Sequence, residues 1–153
     1  MENVYQEAPM GLAEIKRRYH GYLGRLTAAA MQEKVRNGEW SGYAPTGYRN
    51  VRDGKMSRVE IDPVLGPLVI EAFRLIAQKH SSLRQVLDVL TPRGLVSRTG
   101  KPLGVSALSH LIQNPFYVGM IRYQGALYEG KHQALVSPSL FDRAGRSLRR
   151  RRR

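Results

Sequence analysis

Along most of the chain apolar residues recur every three or four positions between glycine-rich breaks, a pattern that predicts helices. In the first segment these positions are Leu12, Ile15, Tyr19, Tyr22, Leu26 and Ala29. Such spacing makes a narrow seam of the kind two helices share, rather than the broad stripe of a helix buried in a core. A long first helix is predicted, with Pro9 tolerated in its opening turn. Gly11, Gly21 and Gly24 weaken it as a free-standing helix. It is therefore expected to lean on this chain, a second copy or a further domain.

The segment "EIDPVLGPLVIEAFRLIAQKH" has Asp62 as helix N-cap and Pro63 at the first helical position. Val64, Leu65, Leu68, Val69, Ala72, Phe73 and Ile76 give it a wide apolar face, so it should be central. In the next helix Ser82 and Gln85 match a capping box, and Leu83, Val86, Leu87 and Leu90 face inward before Pro92 and Gly94 stop it. Two short strands are expected around Thr99-Gly100. A further helix runs from Gly104 to Gln113, with Val105, Leu108, Leu111 and Ile112 inside, and Pro115 ends it. "FYVGMIRYQGALYEG" predicts a hairpin around Gln124-Gly125. Ser137 and Pro138 open a last helix leading into a basic tail, Arg149 to Arg153.

The predicted fold is mainly α with a small β-hairpin. Its expected divisions are a connector helix over 1–37, an extended basic and aromatic linker over 38–56, a helical domain over 57–148 and a tail over 149–153. In the linker Trp40, Tyr43 and Tyr48 alternate with Arg36, Arg49, Arg52 and Lys55. It can lie along a nucleic-acid groove, cations to phosphates and rings to sugars, or fold its rings back onto the core.

Charge narrows the function. The 153 residues carry a formal net charge of +13, from 25 Lys and Arg against 12 Asp and Glu. A polyanion is the natural partner. A membrane is the rival polyanion, but no segment reaches the ~18 apolar residues of a spanning helix. The chain has no cysteine, which removes disulfides, thiol catalysis and zinc fingers. Its start, "MENVYQEAPMG", lacks a signal-peptide pattern, so a cytoplasmic location is expected, nucleoid-associated where the polyanion is DNA.

Catalytic motifs are missing from the sequence. His20, His80, His110 and His132 lie far apart without metal-ligand spacing, and no nucleophile elbow, phosphate loop or dinucleotide fingerprint occurs. The chain is expected to be no enzyme, with no cofactor and no metal.

The order of the two short helices, Ser82–Leu90 and Gly104–Gln113, with a basic turn between and a hairpin after, is that of a helix-turn-helix with an expanded turn and a wing. The second helix offers Ser106, Ser109, His110 and Gln113 on its outer face, short groups that fit a major groove. Asn114 serves either a base or the helix end. Arg84, Arg93, Arg98, Lys101 and Lys131 are further candidate phosphate contacts. The alternatives are a stand-alone helix-turn-helix transcriptional regulator and an RNA-binding protein; the hairpin lacks the stacking aromatics of an RNA platform.

The pieces "GYAPTGYRN", "IDPVLGPLVIEAFRLIA", "SLRQVLDVLTPRGLVSRTGKPLGVSALSHLIQNPFYVGMI" and "EGKHQALVSPSLFDRA", from about Asn37 to Ala144, resemble the recombinase domain of large serine recombinases. These include phage integrases and the recombinases of mobile elements. The resemblance implies a module that binds duplex attachment-site DNA, with Gly42 to Asn50 along the minor groove and Gly104 to Gln113 in the major groove. It also implies a separate serine-bearing catalytic domain as partner and, in many relatives, a zinc ribbon. Neither is expected in this chain, which would be a truncation or a natural remnant, bacterial or phage-encoded, and a monomer when isolated.

Overall fold

The computed structural model describes residues 11–151, which fall into two compact units, the first ending at Glu33 and the second beginning at Lys34. Pro9, Arg152 and Arg153 lie outside the described residues. Helix α1 spans Leu12–Arg36. Leu12, Ile15, Tyr19, Tyr22 and Leu26 are all exposed along it, at the spacing that forms a seam.

The second unit begins with the last turn of α1, where Val35 is buried. An antiparallel hairpin follows, β1 (Tyr48–Asp53) and β2 (Met56–Ile61). Here the expected extended linker over 38–56 is corrected. Asp53 pairs with Met56, leaving Gly54-Lys55 as a two-residue loop, and Gly54 takes a φ of +59. Glycine with positive φ at the first loop position is what a type II′ turn needs. The strands escaped notice because Val51, Val59 and Ile61 are their only aliphatic β-formers among polar residues on both faces.

Helix α2 (Leu65–Ala77) is the core helix, with Leu68, Val69, Ala72, Phe73 and Ile76 buried. Asp62 Oδ1 accepts from the backbone N–H of Val64 and Leu65 at 2.8 and 2.9 Å, so it satisfies the first amides of the helix. The cap position itself falls on Val64 and not on Asp62. Val64 departs from expectation and is exposed, because the helix begins at Leu65, two residues after the expected Pro63. Helix α3 (Leu83–Leu90) carries the complete Ser82/Gln85 capping box. After a turn comes α4 (Val105–Ile112), with Gly104 and Gln113 as its caps. Leu108, Leu111 and Ile112 are buried, but Val105 is exposed, since the first turn of α4 projects beyond the core.

A 3₁₀ turn over Pro115–Val118 precedes the second hairpin, β3 (Met120–Tyr123) and β4 (Ala126–Glu129). Its loop, Gln124-Gly125, has both φ values positive, as a type I′ turn requires. Helix α5 (Pro138–Arg151) packs on α2 and α4 through Leu140, Ala144 and Leu148. This apolar stripe keeps the chain helical through Arg149–Arg151, where a tail was expected. The fold is thus mainly helical with two small antiparallel hairpins, one more than expected.

Aromatic packing joins the parts of this unit. Tyr48 and Trp40 meet Phe116 edge-on at ring distances of 5.2 and 5.7 Å, and His132 stacks on Phe116 at 3.8 Å. The Tyr117 hydroxyl donates to the Thr46 carbonyl at 2.6 Å and the Tyr48 hydroxyl to that of Gln133 at 2.8 Å. Burial holds both phenols well above their usual pKa range, so they remain donors.

Candidate nucleic-acid interface

The outer face of α4 opens into a cleft of about 480 Å³ between α3, α4 and α5. Ser106, Ser109 and His110 line one side, Ser82, Leu83 and Arg84 the second, and Leu148 and Arg151 the third. Ser106 and His110 are exposed and Ser109 is half-buried. No carboxylate is found among the described residues lining it. Positive side chains beside small hydroxyls, without acids, make a surface that attracts phosphate and leaves room for a base edge.

Gln113 is partly committed. Its Nε2 donates to the Ser109 carbonyl at 2.9 Å and to Ser109 Oγ at 3.2 Å, closing the last turn of α4. Bidentate pairing with adenine would require this side chain to swing away. Asn114 has a structural task, its side chain accepting from the Phe116 N–H at 3.0 Å to cap the 3₁₀ turn.

The aromatic run divides. Trp40 and Tyr48 fold onto the core, and Asn50 pins the loop by accepting from the Ala44 N–H at 2.8 Å and donating to the Gly42 carbonyl at 3.0 Å. Tyr43 alone points out, 74% exposed, with the Arg98 guanidinium 4.1 Å above its ring. A cation–π contact thus ties the loop before β1 to the turn between α3 and α4. That turn is held by the Val96–Pro102 bridge and by the Ser97 N–H donating to the Lys101 carbonyl at 2.7 Å, which leaves Arg98 and Lys101 on an exposed tip.

The other candidate cations are dispersed. Arg49 is ion-paired with Glu60 at 3.6 Å and Lys131 with Glu39 at 3.6 Å. Lys55 and Lys131 border a separate cleft beside Trp40, Met56 and Arg58. Arg36, Arg52 and Arg93 are exposed and make no ion pair among the described residues. Sequence reasoning missed Arg151, which the continuation of α5 carries into the α4 cleft. The signal was the Leu140, Ala144, Leu148 repeat, four residues apart, running into the arginines. Among the described residues no cluster of potential ligands could hold a metal ion, and no helix is long and apolar enough to cross a membrane.

Comparison with known proteins follows the same lines. The family model described as Recombinase matches residues 63–151. Of solved structures, an LSR–DNA complex superposes with a TM-score of 0.65 at 15% identity, over 82% of this chain and 39% of that one. A structure concerned with the sequence requirements of the Listeria innocua prophage attP site superposes with a TM-score of 0.64 at 15% identity, over 82% of this chain and 52% of that one. The chain therefore spans about half or less of the length of each, and at this identity the likeness is one of fold. No curated protein matches its sequence.

Proposed function

The chain belongs to the Recombinase domain family of large serine recombinases, and on that premise we propose that it binds the duplex of a recombination attachment site without itself performing the strand chemistry. In this reading α4 enters the major groove, Ser106, Ser109 and His110 approach base edges, and Arg84 and Arg151 take the flanking phosphates. Arg98, Lys101 and Arg93 on the preceding turn, and Arg49, Arg52, Lys55, Arg36 and Lys131 elsewhere, add phosphate contacts. Affinity then comes mainly from cations and falls steeply with salt. Tyr43 with its Arg98 partner is the only part of the aromatic run free to meet a groove. The serine nucleophile and the catalytic partner domain belong to the rest of a full-length recombinase.

The observation that carries this reading is the open, acid-free cleft over the α4 face. Two structures in the same fold, one an LSR–DNA complex and one concerned with an attP site, support it. The test is Ser106→Glu, an exposed position where a carboxylate would face phosphates without disturbing the core. In gel-shift titration against a duplex selected from a randomised pool, affinity should fall roughly tenfold, about 1.4 kcal/mol. Unchanged affinity removes α4 from the interface.

A further inference from the structure

The α4 cleft leaves most of the arginines of α5 unused. Arg143, Arg146 and Arg150 follow at three- and four-residue spacing, forming a stripe that flanks the buried Leu140, Ala144 and Leu148. With Ser147 and Arg151 they line a second cleft, of about 520 Å³, whose other side is Ala77 and His80 at the end of α2. Arg151 lines both clefts, so the two basic surfaces share a wall. No carboxylate is found among the described residues lining the second cleft either. Asp142 pairs with Arg146 at 3.1 Å, while Arg143 and Arg150 have no ion-pair partner among the described residues.

Like charges at this spacing repel, so the stripe works against the helix unless an anion faces it. From Arg143 to Arg150 the helix rises about 10 Å. That is about three axial steps of one DNA strand, each ~3.4 Å. An open, linear row fits a polymer of charges better than a single small anion, which needs converging donors.

We propose that α5 is a second phosphate track. A duplex held on α4 continues past Arg151 onto Arg150, Arg146 and Arg143, with His80 at the edge of the track. This rests on the duplex-binding reading above and extends it to the DNA flanking the contacted groove.

The test compares salt dependence of binding to a mixed-sequence duplex of about three helical turns, each ~10.5 base pairs. The proteins are the unaltered chain, the triple variant Arg143→Gln, Arg146→Gln, Arg150→Gln, and a control of equal charge, Lys16→Gln, Arg17→Gln, Arg25→Gln on α1. All six side chains lie on exposed positions, so both variants should remain folded by circular dichroism, with the α5 triple melting no lower than the unaltered chain because it relieves repulsion along the helix. The α5 triple should reduce the slope of log K against log salt by about 2 to 3, and the control by less than about 1. A slope unchanged, or changed only as much as in the control, overturns the track. If Ser106→Glu still weakens binding in that case, the α4 reading stands without it. If the unaltered chain binds no duplex, both fall together.

Discussion

The residues that decide the shape of the site are aromatic, and three of them could not be sorted by sequence. Trp40, Tyr43 and Tyr48 sit in one basic stretch, yet two turn inward and one outward. What sorts them is distant: Tyr48 finds the Gln133 carbonyl, and the loop carbonyl of Thr46 accepts from Tyr117. Local pattern carries no information on such partners. Asp62, Ser82 and Gln85 were legible because a cap binds atoms two or three residues away. At this scale His132 makes a sharp prediction. Its ring stacks on Phe116, its Nε2 lies 2.7 Å from the Phe116 carbonyl, and its Nδ1 is buried with no partner among the described residues. Desolvation lowers its pKa below the ordinary 6.5, the hydrogen bond to Phe116 only partly opposing it. The folded state then takes up a proton less readily than the unfolded chain. Stability should be full above pH 6.5 and decline as pH falls below it, towards the folded-state value. His132→Phe, which keeps the stack and removes the titration, should flatten that decline in thermal melts between about pH 7 and pH 5. An equally steep decline in the variant would assign it to other groups.

Elements were readable in proportion to how much apolar surface they bury. Helices α2, α3 and α4 were legible almost to the residue, since each turns an apolar face onto one core. The β1–β2 hairpin was not, because Arg49, Asp53, Arg58 and Glu60 crowd one face while Asn50, Arg52 and Ser57 interrupt the apolar residues of the other, and only the Gly54-Lys55 loop betrays it. The last turn of α5 was obscured by its arginines, whose mutual repulsion reads as a solvated tail. Packing of Leu148 overrides that repulsion. Helix α1 invites a direct experiment. A Cβ added at Gly21 or Gly24 would meet nothing within 4 Å, so neither glycine is demanded by close packing. Ala at both positions should strengthen the helix by about 0.8–1 kcal/mol each and raise the far-ultraviolet helical signal. A lower signal would show that these positions serve something other than helix formation.

For the whole molecule, the charge of +13 by itself points to a polyanion as partner. The structure adds where that charge is organised: around the α4 face and, by our inference, along α5. It also shows where it is neutralised, at Arg49 and Lys131, whose acidic neighbours lessen their claim as phosphate contacts. Candidate cations scattered from the end of α1 to the loop after β4 thus become a graded set, with Arg84 in the same cleft as the small polar groups of α4 and joined there by Arg151.

The most direct test of α4 as the reading helix is dimethyl sulfate footprinting of the complex with a selected duplex, because guanine N7 lies in the major groove and adenine N3 in the minor. The chain should protect a cluster of guanine N7 positions, and Ser106→Glu should need roughly tenfold more protein for the same protection. Binding that shields only adenine N3, or leaves every guanine N7 reactive, would contradict the account.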